Sequence, residues 1–163
     1  MGQHRLHTLT MLLRVDDVEP ILAADKRTEI TAYLQSMTAK FVEHQHPQGY
    51  WDENWPDALP SADDPKDSRQ LANRVIVTGH ALEAWALSPA EVHPPRPVLV
   101  AAGQWLVRTI ETMTDEQLKN SKSFLTHAAR ALALWRGKFP HQVPLSPEEP
   151  SPGSAETAPV SAS

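Results

Sequence analysis

The sequence predicts an all-α fold of α-hairpins, whose inner and outer helices form part of an α/α toroid. Two observations predict this architecture. About five segments place apolar residues at a helical period. Helices with one polar stripe also alternate with helices that are apolar nearly all round. The first kind can face water, whereas the second must be covered on both sides. Helices one, three and five are therefore predicted to be inner, and helices two and four outer.

The first two helices are predicted from their apolar positions. Helix one covers residues 4–14, and no good capping residue stands at its start. Helix two covers about 26–43, with Asp25 as its predicted N-cap. A proline-rich connection over 44–73 then separates it from the next helix.

The remaining three helices are delimited by prolines and caps. Helix three covers about 74–87 and stops before Pro89, and helix four covers about 98–113 after a second proline-rich link. Thr114 and Gln117 have the spacing of a capping box and predict a short turn. Helix five covers about 122–136 and ends at Gly137, the residue typical of a left-handed C-cap.

Composition divides the chain into a helical domain over 1–139 and a predicted disordered tail over 140–163. The tail holds six of the fifteen prolines and no Lys, Arg or aromatic residue, so it cannot bury enough apolar surface to offset its ordering entropy. About five helices draw only an arc of a toroid. We therefore expect the domain to be the C-terminal part of a larger toroid, or to self-associate through exposed helices.

Charge and cysteine usage exclude several classes of function. Three of the 20 acidic residues lie in the tail, so the body holds 17 of them against 15 basic residues. No basic patch appears, which argues against nucleic acid and against an anionic membrane surface. The chain has no cysteine and no apolar run of membrane-spanning length. These features favour a cytoplasmic location.

The inner helices carry a repeated pattern that opens with histidine, at His4, His80 and His127. A large apolar residue follows five positions later in each copy. His80 and Glu83 lie three residues apart, so both project from one helix face. Together with His127 they are candidate catalytic residues, because a His–Glu pair beside a second His can transfer protons or bind a metal. The alternative is structural: each His bonds to a neighbouring hairpin, and Glu83 pairs with an arginine.

The segment that ends helix two resembles the QW repeat of the terpenoid-cyclase and prenyltransferase toroids. Its residues are an aromatic, a glutamine four positions later, and Gly-x-Trp: Phe41, Gln45, Gly49 and Trp51. In that family the Gln and Trp tie an outer helix to its neighbour. The resemblance covers about 30–88 and departs from the family at Gln48, where Asp or Asn is preferred. The acidic Asp-x-Asp-Asp motif of squalene–hopene cyclases and the zinc-binding Cys of protein prenyltransferases are both missing. The body is also similar to uncharacterised bacterial proteins with the stretches GHALEAWAL and FLTHAARALALWRG.

Two further groups are weaker candidates. Trp51, Asp52, Glu53 and Trp55 combine aromatics with carboxylates, as a sugar-binding or cation-binding rim would. Packing of both indoles onto the body is the favoured alternative. The remaining tryptophans are predicted to be core, at 85, 105 and 135.

The pair His44 and His46 has metal-like spacing, but two ligands are too few for zinc. We therefore expect no metal site and no cofactor.

The sequence predicts no specific activity, and three classes of function stay open. The chain is a non-catalytic toroid scaffold, an enzyme with a central-cavity site for a sugar or an isoprenoid-like substrate, or a peptide-binding helical repeat. Sequence alone does not decide whether it is an enzyme.

Overall fold

A computed structural model describes residues 2–55, 65 and 67–137, with the side chains of residues 2 and 3 left out. The described residues form six α-helices and one 3-10 turn, and no strand is found among them. In chain order they are α1 Gly2–Val18, α2 Ala24–Glu43, α3 Ser68–Leu87, the 3-10 turn Ala90–Val92, α4 Arg96–Glu111, α5 Asp115–Asn120 and α6 Lys122–Trp135. The all-α class is confirmed. The predicted tail over 140–163 lies outside the described residues.

Helix α3 lies at the centre and packs against α6, α1 and α4. It is buried along most of its length, as predicted for an inner helix. Its approach to α6 is backbone to backbone at Gly79, where an added Cβ would lie 2.9 Å from the backbone nitrogen of Ala128. Only a residue without a side chain allows the two helices to come this close.

Helices α1 and α6 flank α3, and each keeps one face open, which differs from the prediction that inner helices are covered on both sides. On α1 an apolar stripe is exposed at Met11, Val15 and Val18. On α6 the ring of Trp135 is 38% exposed, so the prediction that it belongs to the core is wrong. These exposed faces are not covered by the helices that the structure describes, and the division into inner and outer layers stays a prediction. The expectation of self-association stays a prediction.

The starts of α2 and α3 differ from the prediction. Helix α2 begins after Ala23, which makes no side-chain cap, and the predicted cap Asp25 lies inside the first turn. Helix α3 begins at Ser68 rather than near residue 74, because Asp67 caps it by accepting a hydrogen bond from the Gln70 nitrogen at 2.8 Å. The first turns of this helix are polar, and an apolar period does not detect them.

Two predicted helix ends are confirmed. Thr114 and Gln117 form the expected capping box, which starts the short helix α5. Gly137 follows α6 with a φ of 69°, the left-handed conformation that glycine adopts without strain. Within the described residues, no helix is long and apolar enough to cross a membrane.

The segment with the QW-like pattern joins α2 to α4. The side chain of Gln45 donates to the carbonyl of Gly49 and to that of Val98 in the first turn of α4, both at 3.0 Å. The indole of Trp51 donates to the carbonyl of Phe41 at 2.7 Å. This carbonyl lies in the last turn of α2, where backbone acceptors have no partner within the helix. Trp51 therefore closes the C-terminal end of α2.

Candidate functional site: a histidine–glutamate cluster

The histidines that open the three sequence repeats meet at one place in the fold. The rings of His80 and His127 have centroids 3.9 Å apart, and the rings of His4 and His80 lie edge to face at 5.5 Å. Helices α1, α3 and α6 supply one histidine each. The candidate residues His80, Glu83 and His127 therefore lie together in the fold. His127 on α6 stands 44 residues after Glu83 on α3 along the chain.

Two members of this cluster, His7 and Arg130, are not predicted from the sequence. Both stand three residues after the histidine that opens a repeat, the position that Glu83 holds on α3. Residues three apart share a helix face, so the fourth position of each repeat points to the same place as the first. This alignment is the signal that could have found them.

One oxygen of the Glu83 carboxylate is the centre of the cluster. Its Oε2 lies 3.1 Å from Nδ1 of His127, which donates to it, and 3.7 Å from both Nε2 of His7 and Nδ1 of His80. Nε2 of His7 is also 3.4 Å from Nδ1 of His80, and it donates to the backbone carbonyl of His80 at 3.1 Å. Three imidazoles thus surround a single carboxylate oxygen.

The other carboxylate oxygen of Glu83 contacts Arg130. Nη1 of Arg130 lies 2.6 Å from Oε1. Among the described residues no donor has hydrogen-bond geometry at Oε1, so this contact is a close ion pair with poor alignment. The carboxylate is therefore divided between a histidine side at Oε2 and an arginine side at Oε1.

The cluster is buried at its centre and open on the side of α6. The side chains of Glu83 and His80 are 1% and 5% exposed, whereas those of His127 and Arg130 are 34% and 46% exposed. A buried carboxylate is costly unless it is paired. Here the partners His127 and Arg130 are partly exposed, so the cluster meets solvent on the side of α6.

The surroundings set the charge of the two central groups. Burial raises the pKa of Glu83, but the imidazoles of His80 and His127 beside the carboxylate and the charges of His7 and Arg130 outweigh burial and lower the pKa to about 2. For His7, burial lowers the pKa below its ordinary value, although Glu83 opposes this change. Glu83 is therefore an anion near neutral pH, and His7 is held towards its neutral form.

Because Glu83 is ionised in the folded chain, the free energy of unfolding depends on pH. Its pKa falls from 4.5 to about 2 on folding, so its stabilisation is complete above the first value and is lost as the pH falls towards the second. We expect Glu83→Gln to lower the free energy of unfolding by roughly 2–3 kcal/mol near neutral pH. This difference between the two proteins should shrink as the pH falls below the ordinary pKa of a carboxyl group. Urea unfolding of both proteins in EDTA over this pH range measures it. A difference that stays constant with pH would contradict the assignment.

The structure has a polar cavity, but it does not lie beside these residues. A cavity of about 260 Å³ lies between α3, α4 and the loop after α2. Its walls include Tyr50, Arg74 and Trp105 and none of the cluster residues. The histidine–glutamate cluster is instead a pocket of side chains closed around Glu83.

The other sequence candidates take local structural roles. Trp51 and Trp55 are buried, and Trp55 stacks on Phe41 with centroids 3.6 Å apart. Their burial favours the packing role over a ligand-binding rim. Asp52 is buried and accepts from the Asn54 nitrogen.

The rest of these candidates also bond to nearby groups. Glu53 accepts from the side chain of Asn73 at 2.7 Å. His44 contacts the Lys40 carbonyl through Nδ1, and His46 stacks on Tyr50.

Comparison with protein-family models, with curated proteins and with solved structures gave no match to this chain. No relative's activity therefore guides the assignment, and the resemblance to toroid enzymes stays a prediction.

Proposed function

We propose that this chain binds a divalent transition-metal ion through His7, His80 and Glu83, and that this metal centre is its functional site. The sequence alone predicts no metal, because it places His80 and Glu83 on one helix face but gives no third ligand; His7 joins them only in the fold. The spacing of the three donor atoms supports the opposite interpretation.

One observation carries the proposal. The donor atoms are Nε2 of His7, Nδ1 of His80 and Oε2 of Glu83, and they are separated by 3.4, 3.7 and 3.7 Å. Zinc binds such atoms at about 2.0–2.1 Å in a tetrahedron, which places neighbouring ligands about 3.3–3.4 Å apart. An ion would therefore need to draw these three atoms together by only a few tenths of an ångström.

The chemical state of the ligands suits a metal. A ligating imidazole must be neutral, and burial already lowers the pKa of His7. A ligating carboxylate must be ionised, and the pKa of Glu83 is about 2. Metal binding needs lone pairs on His7 Nε2 and His80 Nδ1, so His7 must give up the hydrogen bond that its Nε2 donates to the His80 carbonyl, and each ring then carries its proton on its other nitrogen. His127 and Arg130 keep the carboxylate oriented from outside the coordination sphere.

The ligand set favours catalysis over a structural role. Two nitrogens and one oxygen, with no thiolate, suit zinc and other divalent ions of similar hardness. Structural zinc sites use four protein ligands, whereas catalytic sites use three and leave one position for water or substrate. Such a centre polarises a bound carbonyl or activates a bound water. Of the three open classes of function, this supports the enzyme; a sugar or isoprenoid-like substrate stays a prediction.

Cobalt(II) binding tests the proposal, because its visible spectrum reports coordination. The chain is purified without a polyhistidine tag and treated with EDTA, which is then removed. We expect one cobalt ion per chain and displacement by zinc. His80→Ala and Glu83→Gln should each weaken binding by more than about 100-fold, since even the outer partners of metal ligands contribute about 10–100-fold.

The matched control is the double variant His44→Ala/His46→Ala, which removes two histidines outside the cluster. It should bind cobalt as the parent does. Circular dichroism and melting of every variant show whether it is folded. If cobalt binds a folded Glu83→Gln chain as tightly as the parent, or is lost only in the His44/His46 variant, the proposed site is wrong.

A further inference from the structure

The metal proposed above would leave the cluster with an excess of positive charge. One divalent ion, one carboxylate and one guanidinium give a net charge of about +2 when the imidazoles are neutral. Among the described residues, Glu83 is the acid in contact with the cluster. An uncompensated charge of this kind in a partly desolvated site attracts an anion.

The position of Arg130 gives this anion a place to bind. It lies three residues after His127 on α6 and forms the most exposed part of the cluster, with 46% of its side chain exposed. One nitrogen of its guanidinium contacts Glu83 Oε1 at 2.6 Å. A guanidinium offers five N–H donors in a planar fork, so Arg130 can hold the Glu83 carboxylate and present further donors to a second oxyanion.

Arg130 lies on α6, the side on which the side chains around Glu83 are most exposed. The three proposed ligands come from α1 and α3, and the buried side of the cluster is closed by His80 and Glu83. Of the side chains around Glu83, those of His127 and Arg130 are the most exposed, so the α6 side is the more open one. A small oxyanion on this side would meet the guanidinium with one oxygen, and its other oxygen would be available to the metal.

We propose, building on the metal site above, that the ligand or substrate of this centre carries a small oxyanion, a carboxylate or a phosphate, bound between the metal and Arg130. This excludes a wholly neutral sugar or hydrocarbon as the group that meets the metal. The role of Arg130 is recognition of the anion, in addition to positioning the carboxylate of Glu83.

The test uses the cobalt-loaded full chain with sodium acetate and sodium methyl phosphate as probes. Both the parent and each variant are brought to full cobalt occupancy first, so that a change in metal affinity does not enter the result. We expect at least one of the two probes to change the visible spectrum saturably. Sodium chloride at equal ionic strength should not, since it lacks the paired oxygens.

Arg130→Gln should weaken this anion binding by about tenfold or more, because a charge-assisted contact is lost. Arg136→Gln is the matched control, since it removes the same charge from an exposed position just after α6, and it should bind the probe as the parent does. Arg130→Lys keeps the charge without the fork and should bind the probe with intermediate affinity.

The outcomes separate the two proposals. If cobalt binds but neither probe changes the spectrum, or if Arg130→Gln binds the probe like the parent, the oxyanion inference is wrong and the metal site stands. If chloride acts as acetate does, the effect is screening and the inference also fails. If cobalt does not bind the cluster at all, both proposals are wrong.

Discussion

Replacing Trp51 by alanine is expected to lower the free energy of unfolding by about 3–5 kcal/mol, the usual cost of truncating a buried aromatic side chain. Trp51 is fully buried, and its ring meets Phe41 and Trp85 edge to face, with centroids 5.3 and 5.7 Å apart. The cavity left behind cannot close easily, because both neighbours are held on helices. Urea unfolding of the parent and the variant measures the loss.

Two further variants identify which part of the indole matters. Trp51→Phe keeps most of the ring but removes the N–H that bonds to the Phe41 carbonyl, and it should cost about 1–3 kcal/mol for the unsatisfied acceptor. Trp135→Ala makes the same truncation at a position that is 38% exposed, and it should cost clearly less than Trp51→Ala. If Trp51→Ala unfolds at the denaturant concentration of the parent, Trp51 does not hold α2 in place.

The predicted all-α class is confirmed, and sequence periodicity also predicts the burial of α3, whereas the toroid arrangement stays a prediction. Helix α3 is apolar nearly all round and is buried along most of its length. The same pattern wrongly predicts that Trp135 belongs to the core. Periodicity shows that a residue is apolar but not whether a neighbouring helix covers it. Coverage depends on which helices meet, and the exposed part of Trp135 has no cover among the described residues.

The candidate site was predicted in part. His80 and Glu83 were identified from their spacing on one helix, and His127 from the repeat. His7 and Arg130 were missed, because their importance depends on the distances between α1, α3 and α6. Gly79 sets one of these distances, since it lets α3 approach the backbone of α6 at Ala128. Local spacing predicts which residues share a face, whereas the meeting of three faces is a tertiary property.

The loop that precedes Trp51 shows how one glycine fixes the joint between two helices. Gly49 has a φ of 110°, in the left-handed half of conformational space that other residues avoid. An ideal Cβ at this position would lie 2.3 Å from the carbonyl oxygen of Ala101 and 2.5 Å from its carbon. Both are backbone atoms of α4, so neither can move aside as a flexible side chain would.

Gly49→Ala is therefore expected to destabilise the chain by about 2–5 kcal/mol, from backbone strain at positive φ and from overpacking against α4. Gly103→Ala is the matched control on α4 itself. Its added Cβ would meet no atom within 4 Å, and the lost helix-interior glycine should give a gain of about 0.5–1 kcal/mol. The two substitutions add the same methyl group. Opposite changes in the free energy of unfolding by urea would therefore identify the backbone conformation and the available space at each glycine as the cause. Equal effects at both positions would show that the loop does not contact α4 as closely as the structure has it. Gly49→Ala should also weaken the hydrogen bonds that the Gln45 side chain donates to Gly49 and Val98. Both hydrogen bonds depend on the same close approach of the loop to the first turns of α4.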